Sequence, residues 1–449
     1  MSGSTIDRKA LWVGSAALSL FLISCAGTSE FYRDVERNIS TGDYRAAIMG
    51  IQSNQKAYGD KSNVLYNLDL GLLYHYAGNS DSSNFFLFAA EKEIGDLYTK
   101  SISLAAASMI LNDNVLPYEG EDFEKVLINV FLALNYAEKD QPDEALVEAR
   151  KVDLKLREYA KQYDGKNTYR EDAFIRYIAG VLYESDGQVN DAFISYRKAY
   201  ETYKTYEKEY GTKAPSFLLD DLVRTATLVS FNDEAEKYTA LGGKPYKRTK
   251  KPAGTILLVS YAGNGPIKEE IRPTVSIPDN EGTIHTFQIA LPKFVSRLTG
   301  SRSYELVAAP VRDPSKASRA ASEVSENVTA IAAKALDDRL GMVYLKSGGR
   351  AVLKFLAAEK AKKDLKKNDN ELANVLGSIA IDAVVGATER ADLRTWRTLP
   401  AEFQLARLNV EPGDYTVRVA SSDGRQLVAD RTIKVKNGRT AFVIVDDVR

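Results

Sequence analysis

Between residues 30 and 240 apolar positions recur at helical spacing and are interrupted by short polar stretches. Around Leu70, Gly71, Tyr74, Ser83, Leu87 and Ala90, large and small residues alternate in that rhythm. The same arrangement returns at Ala179, Gly180, Tyr183, Ala192, Tyr196 and Ala199, and more weakly at Leu132, Ala133, Tyr136 and Ala145. Small residues let two helices approach closely while aromatic rings fill the space beside them, which is how a helix hairpin stacks on its neighbours. Polar breaks at 78–81, 139–142 and 185–187 supply the turns. Pro142 followed by Asp143 and Glu144 suits a first helical turn, where the missing N–H is harmless and the helix dipole favours acids.

These positions resemble the tetratricopeptide repeat pattern. The spacing departs from it: Gly71 and Ala133 lie 62 residues apart, and Ala133 and Gly180 lie 47 apart, whereas regular repeats recur every ~34. The expectation is an irregular α-solenoid over roughly 30–240. Residues 42–51 and 215–240 supply terminal helices, and extra helical material such as 100–111 lies between hairpins. Such an array presents a groove for a partner. Of Tyr66, Tyr74, Tyr76, Tyr183, Tyr196 and Tyr200, most are explained as hairpin packing, with Tyr74 and Tyr183 kept as candidate partner-binding residues. His75 has no second histidine one turn on and reads as structural or solvated. Glu119, Glu121, Asp122 and Glu124 read as an acidic helix start before Phe123, because a calcium loop needs another ligand spacing with a central glycine.

The pattern changes after about residue 245. Residues 255–261 form a compact apolar run, the mark of a buried strand. The following Gly263 and Gly265 form a turn and not a phosphate loop, since no Gly-Lys-Ser/Thr follows and Pro266 removes a donor. Residues 274–277 and 283–291 read as a hairpin, with His285 in its second strand and too isolated to build a metal site. Residues 303–311 suggest another strand. Helical spacing then covers 317–340, 350–367 and 371–389; the stretch 372–387 packs better against its neighbour than in lipid, because Asp382 is costly there. Strands follow at 402–410, 415–419, 426–436 and 440–445. The fold class expected is thus α+β and multidomain. A TPR-like α-solenoid over 25–243 joins, through a basic linker at 244–252, a C-terminal antiparallel β-sandwich-like domain at 253–449 with a helical insertion at about 317–390.

Composition supports the division, since 21 of 25 tyrosines lie at or before Tyr246 and 10 of 13 prolines at or after Pro245. Sixty basic against 61 acidic residues give a net charge of -1, which excludes a nucleic-acid binder relying on an overall basic field. One cysteine and two histidines exclude a disulfide framework, cysteine-based zinc, cysteine-attached haem and iron–sulfur clusters. No carboxylate pair stands out for acid–base work, no serine has a nucleophile-elbow context and neither histidine has a triad partner. No catalytic residue, cofactor or metal is therefore assigned.

The single cysteine carries the most information. Arg8 and Lys9 precede an apolar run at 11–23 that is too short to span a bilayer and suits a signal peptide. The run ends Leu22-Ile23-Ser24-Cys25, which resembles the lipobox of bacterial lipoproteins. The resemblance implies removal of residues 1–24, diacylation of the Cys25 thiol and acylation of its new amino group. Each buried methylene adds ~0.8 kcal/mol, so several chains make a lasting anchor. The alternative is a free thiol behind an uncleaved anchor. Ala26 follows, with no aspartate to signal inner-membrane retention, which favours the periplasmic face of the outer membrane, with exposure at the cell surface as the alternative.

The whole chain resembles an uncharacterised family of bacterial tetratricopeptide-like outer-membrane lipoproteins. The lipobox, residues 261–268, Ala290-Leu291-Pro292 and, above all, Ala391-Asp392-Leu393-Arg394-Thr395-Trp396 with the following Arg397-Thr398-Leu399-Pro400 carry the likeness. Leu393 and Thr395 depart mildly from the family pattern. Asp392, Arg394 and Trp396 are candidate partner-binding residues; an ion pair and a core anchor at a junction is the favoured reading. The function expected is a non-enzymatic scaffold binding an envelope protein, with a part in cell-wall synthesis or outer-membrane assembly. Binding of cell-wall glycan or peptide is the alternative, and a hydrolase is less favoured. Cys25→Ser should release the protein from the membrane fraction of cells; continued co-sedimentation with membranes would contradict the lipobox reading.

Overall fold

A computed structural model describes residues 26–110, 114, 116–163, 168–248, 253–278, 284–297, 302–365 and 390–448. Cys25 and the stretch 372–387 lie outside the described residues. The first half is helical: α1 (Ala26–Ser40), α2 (Tyr44–Ser53), α3 (Gln55–Tyr58), α4 (Asn63–Tyr76), α5 (Ser80–Ile110), α6 (Asp122–Glu138), α7 (Pro142–Gln162), α8 (Ala173–Ser185), α9 (Val189–Tyr210), α10 (Phe217–Leu228) and α11 (Asn232–Ala240). The helix starts follow from local chemistry. Asp43 and Asp172 accept backbone N–H bonds from Ala46 and Ile175, and Glu121 with Glu124 forms a capping box at the acidic start of α6.

The repeated small residues mark helix crossings. A Cβ on Gly71 would lie 2.7 Å from the Leu87 side chain, and one on Gly180 only 2.5 Å from the Tyr196 ring. The α4–α5 and α8–α9 pairs therefore close to a distance only glycine permits.

The second half runs β1 (Gly254–Asn264), β2 (Ile267–Ile271), β3 (Thr274–Pro278), β4 (Ile284–Gln288), β5 (Leu291–Val295), β6 (Tyr304–Pro310), β7 (Ser318–Ala321), β8 (Glu323–Asn327), α12 (Val328–Leu365), β9 (Pro400–Val410), β10 (Gly413–Ser421), β11 (Gln426–Val435) and β12 (Thr440–Asp447). Two four-stranded sheets have the orders β12-β1-β9-β8 and β11-β10-β6-β7, and the pairs β2–β5 and β3–β4 stand apart. Two expectations are corrected here. Residues 318–327 are strands and not the start of a helix, because pairing of β7 with β6 and of β8 with β9 overrides the helix propensity of an alanine-rich segment. The strands are also not all antiparallel: after the turn at Asn437-Gly438, β12 leaves β11 and runs parallel to β1, from Thr255 beside Thr440 to Ala262 beside Asp447.

The sheet containing β1 is buried on both faces. Leu257, Val259 and Tyr261, with Phe403 and Leu405 of β9, belong to the same apolar cluster as the helices. Ile256, Leu258 and Ala262, with Ala406 and Leu408, pack instead towards Leu306, Val417 and Val419 of the second sheet. A strand covered on both sides has no polar face, which explains the unbroken run at 255–261. The helical face expected to form an open groove is thus occupied by the chain's own sheet: the Phe403 ring lies 5.5 Å from that of Phe131 and 5.0 Å from that of Phe174. The described part of the basic linker is fastened too. Lys244 pairs with Asp220 at 2.9 Å, and Arg248 donates to the carbonyls of Thr227 and Leu228 at 2.7 and 2.9 Å.

Packing at the crossings yields a contrast. Gly180→Ala should cost about 1–3 kcal/mol in urea unfolding, since the new methyl must displace the Tyr196 ring. Gly95→Ala, on an exposed helical site with nothing near its Cβ position, should stabilise by about 0.5–1 kcal/mol. Equal effects would contradict the close crossing.

Candidate functional site

Two of the segments carrying the family likeness, 261–268 and 391–400, meet where helices and sheet join. Trp396 is fully buried, and its ring lies 5.8 Å from that of Phe131. Its backbone N–H donates to Glu124 Oε1 at 2.7 Å and its Nε1 to Thr398 Oγ1 at 2.9 Å. Arg394 holds Asp392 through Nε and Nη2 at 2.9 and 2.6 Å, donates to the carbonyls of Lys61 and Leu116 at 3.1 Å each, and lies over the Tyr118 ring. Lys268 donates to Glu121 and, at 3.0 Å, to the Arg394 carbonyl. As a partner-binding trio these residues are corrected: the Trp396 indole is inaccessible, and Arg394 is consumed in bracing Asp392 against two loops.

Buried carboxyls organise this junction. Asp69 is fully buried and accepts from Tyr32 at 2.6 Å, Tyr58 at 2.8 Å and Thr398 Oγ1 at 2.9 Å. Burial pushes its pKa up, and the three hydroxyl donors oppose the shift. Glu124 accepts from the Tyr118 hydroxyl, the Glu121 N–H, the Thr395 hydroxyl and the Trp396 N–H; burial and neighbouring Glu121 push it up as well. Burial also acts against Glu121, but Arg339 and Lys268 outweigh it and hold this carboxyl well below its usual range.

His75 links the two halves. Asn135 donates from Nδ2 to Ser83 Oγ at 2.8 Å and Asn84 Oδ1 at 2.7 Å, so its Oδ1 must accept, 2.6 Å from His75 Nδ1. That fixes the proton on Nδ1 and leaves Nε2 to accept from the Tyr261 hydroxyl at 2.7 Å. A second ring proton would turn Nε2 from acceptor to donor and reverse its bond with the Tyr261 hydroxyl, and burial lowers the pKa to about 4.

A second clamp fastens β9. Arg407 reaches Glu184 at 3.1 Å and Asp221 at 3.2 Å, while Arg224 pairs with each of them at 2.7 Å. Arg407 also donates to the Tyr177 and Tyr196 hydroxyls, at 3.1 and 3.3 Å. Beside it a cavity of about 630 Å³ opens between the α8–α9 turn, residues 244–246 and the ends of β1 and β12. Its charged walls are already paired: Glu184 with Arg224, Asp220 with Lys244, Asp186 with Arg439.

Chemistry left open to solvent lies elsewhere on the array. A depression of about 200 Å³ between α7, α8 and α9 has Leu146, Ala149, Ile175, Ala179 and Ile194 as its floor and Arg150, Asp153, Arg176, Tyr183, Asp191 and Lys198 at its rim. Arg176 pairs with Asp153 at 3.1 Å. Arg150 donates to the Tyr183 hydroxyl at 3.2 and 2.9 Å and lies over its ring, and among the described residues neither Arg150 nor Lys198 pairs with a carboxylate. Tyr183 is half-buried here, and Tyr74 is half-buried at the matching position of the first hairpin, stacked on Phe86 at 5.5 Å. The structure does not bring Tyr74 or Tyr183 together with Asp392, Arg394 and Trp396. Among the described residues no cluster of three metal-ligating side chains occurs, and no helix is long and apolar enough to cross a membrane.

Sequence reasoning passed over Asp69 and Arg407, and read Glu124 only as part of an acidic helix start. The available signal was a lone charge in an apolar element, as in Leu68-Asp69-Leu70 and Leu405-Ala406-Arg407-Leu408.

No protein-family model matches the chain, and no curated protein matches it. Among solved structures it is similar to MamA of AMB-1, with 18% identity over 47% of this chain and 87% of that one and a TM-score of 0.28. It is also similar to BtubC from P. vanneervenii, with 14% identity over 54% of this chain and 92% of that one and a TM-score of 0.35. Neither score carries an argument about fold or function.

The His75 network has a pH signature. A base whose pKa drops on folding, here from 6.5 to about 4, contributes fully above its unfolded value. That contribution is lost as pH falls towards the folded value, because the unfolded chain binds the proton first. Between pH ~7 and ~4 the native chain should lose up to about 3 kcal/mol relative to His75→Gln. Parallel pH profiles of urea unfolding for the two proteins would contradict the neutral, buried assignment.

Proposed function

We propose that the protein is a lipid-anchored envelope lipoprotein that acts as a non-enzymatic protein-interaction scaffold. In this reading Cys25 carries the acyl chains and the helical half is an irregular TPR-like solenoid backed by a β-sandwich-like module. The chain faces the periplasm from the outer membrane, as the likeness to bacterial tetratricopeptide-like lipoproteins implies. The supporting observation is where charge is satisfied and where it is left free. At the helix–sheet junction Asp69, Glu124, Glu184, Asp221 and Arg407 are absorbed by internal partners. Around the α7–α9 depression, Arg150, Lys198 and the Tyr183 hydroxyl stand over an apolar floor, a surface suited to recognition and not to turnover.

The partner is an envelope protein, with cell-wall synthesis or outer-membrane assembly as the process served. Direct contact with cell-wall glycan or peptide through the sheet half is the second reading. Whole protein is needed to separate the two, because one face of the β12-β1-β9-β8 sheet is covered by helices.

A photoreactive side chain at Ser195, in the depression, should give a discrete protein adduct in cells, whereas one at Phe231, exposed on the α10–α11 turn, should not. Arg150→Glu with Lys198→Glu should reduce that adduct by about tenfold or more while membrane fractionation and thermal midpoint stay unchanged. An undiminished adduct, or an adduct to glycan alone, would contradict the scaffold reading.

A further inference from the structure

Glu326 occupies an unusual position in the fold. It lies on β8 at the edge of the sheet, where a register shift between Val324 and Glu326 interrupts the pairing with β9. Two residues later α12 begins, and its first turns bury Val328, Ile331 and Ala332 in the core shared with the helices. Glu326 is 1% exposed. Its Oε1 receives only a long contact from the Tyr206 hydroxyl at 3.5 Å, and Oε2 has no partner. Among the described residues no lysine or arginine pairs with it. The Tyr210 hydroxyl is also buried without a partner.

The surrounding groups offer Glu326 no compensating charge. The approach to α8 supplies Tyr169 and Asp172, and α9 supplies Tyr203, Tyr206, Glu209 and Tyr210. From α12 come Lys334 and Asp338, but Lys334 is taken by Glu209 at 3.7 Å and Asp338 at 3.4 Å. On β9 the facing residue is Phe403, with Glu402 beside Asn327. Tyr203 donates to the Ser325 carbonyl at 2.9 Å. Asp172, by contrast, is equipped to be ionised: it accepts from the Ile175 N–H and the Tyr169 hydroxyl, both at 2.8 Å, and feels Arg176. An ionised Glu326 would face this second buried carboxyl with nothing to neutralise it.

We propose that Glu326 and Asp172 form a proton-operated joint, in which a protonated Glu326 holds β8 and the root of α12 against the helical array. Burial, then the Asp172 charge, holds Glu326 well above the usual carboxyl range, and burial raises Asp172 to about 6. A carboxyl whose pKa rises on folding contributes fully below its unfolded value, and that contribution is lost as pH climbs through the folded value. Alkalinisation therefore loads the joint with two charges, and the relief is movement of β8 and α12 outward into water. This device is independent of the lipid anchor and of the partner surface.

Two measurements on the full mature chain test it. At pH 7 the infrared spectrum should contain the carbonyl stretch of a protonated carboxyl, lost in Glu326→Gln, which keeps the shape of the neutral acid. Amide exchange over 323–340, corrected for intrinsic rates, should rise about tenfold or more from pH 6 to 9 in the native chain and stay level in Glu326→Gln. The same rise in both, or no carboxyl band lost, overturns the proposal. Should Glu326→Gln fail to fold, Asp172→Asn, which removes the charge that raises Glu326, should shift the native exchange rise to lower pH, and an unshifted rise equally overturns it.

Discussion

One constraint organises the molecule: the β12-β1-β9-β8 sheet has two apolar faces and must be covered on both. The second sheet covers one through Leu306, Val417 and Val419, and the helices cover the other through Phe131 and Phe174. Removing either cover would expose a row of large apolar side chains to water, at roughly 25 cal/mol per Å². The helical half is under the same demand, since its aromatic face has no other partner among the described residues. This is why the array does not offer that face to a second protein.

Polar groups at such an interface must be satisfied internally, because water has been expelled from it. Asp69 is met by three hydroxyls, Glu124 by two hydroxyls and two N–H groups, and the Glu184–Asp221 pair by two arginines. The motif around Trp396 is the crosspiece of this arrangement: its backbone and side chains reach Glu124 and, through Thr398, Asp69. A buried polar network of this kind fixes how the halves register more than it adds net stability. Glu326 breaks the rule and so is the place where the joint responds to protons.

Local patterns were legible in the sequence. The Gly180–Tyr196 and Gly71–Leu87 crossings follow from helical spacing, the α6 start from its acidic residues, and the buried strand β1 from its unbroken apolar run. Residues 318–327 were misread because what makes them strands is pairing with β6 and β9, far away in sequence. The placement of β12 beside β1, the sheet as cover for the helices and the partners of Asp69 and Arg407 are long-range facts that no local period encodes. Tyr183 was picked out from its repeat position, but the Arg150 and Lys198 beside it became visible only once α7 and α9 were set against α8.

A shared core makes the two halves one cooperative unit. Trp396 sits fully buried at their junction, and the other tryptophan, Trp12, precedes residue 25. In a chain starting at residue 25, Trp396 fluorescence reports the junction and far-ultraviolet circular dichroism reports mainly the helices. Equilibrium urea unfolding followed by both should give superimposable transitions with one midpoint. A fluorescence transition completed while the helical signal remains native would show two independent domains and contradict the shared core.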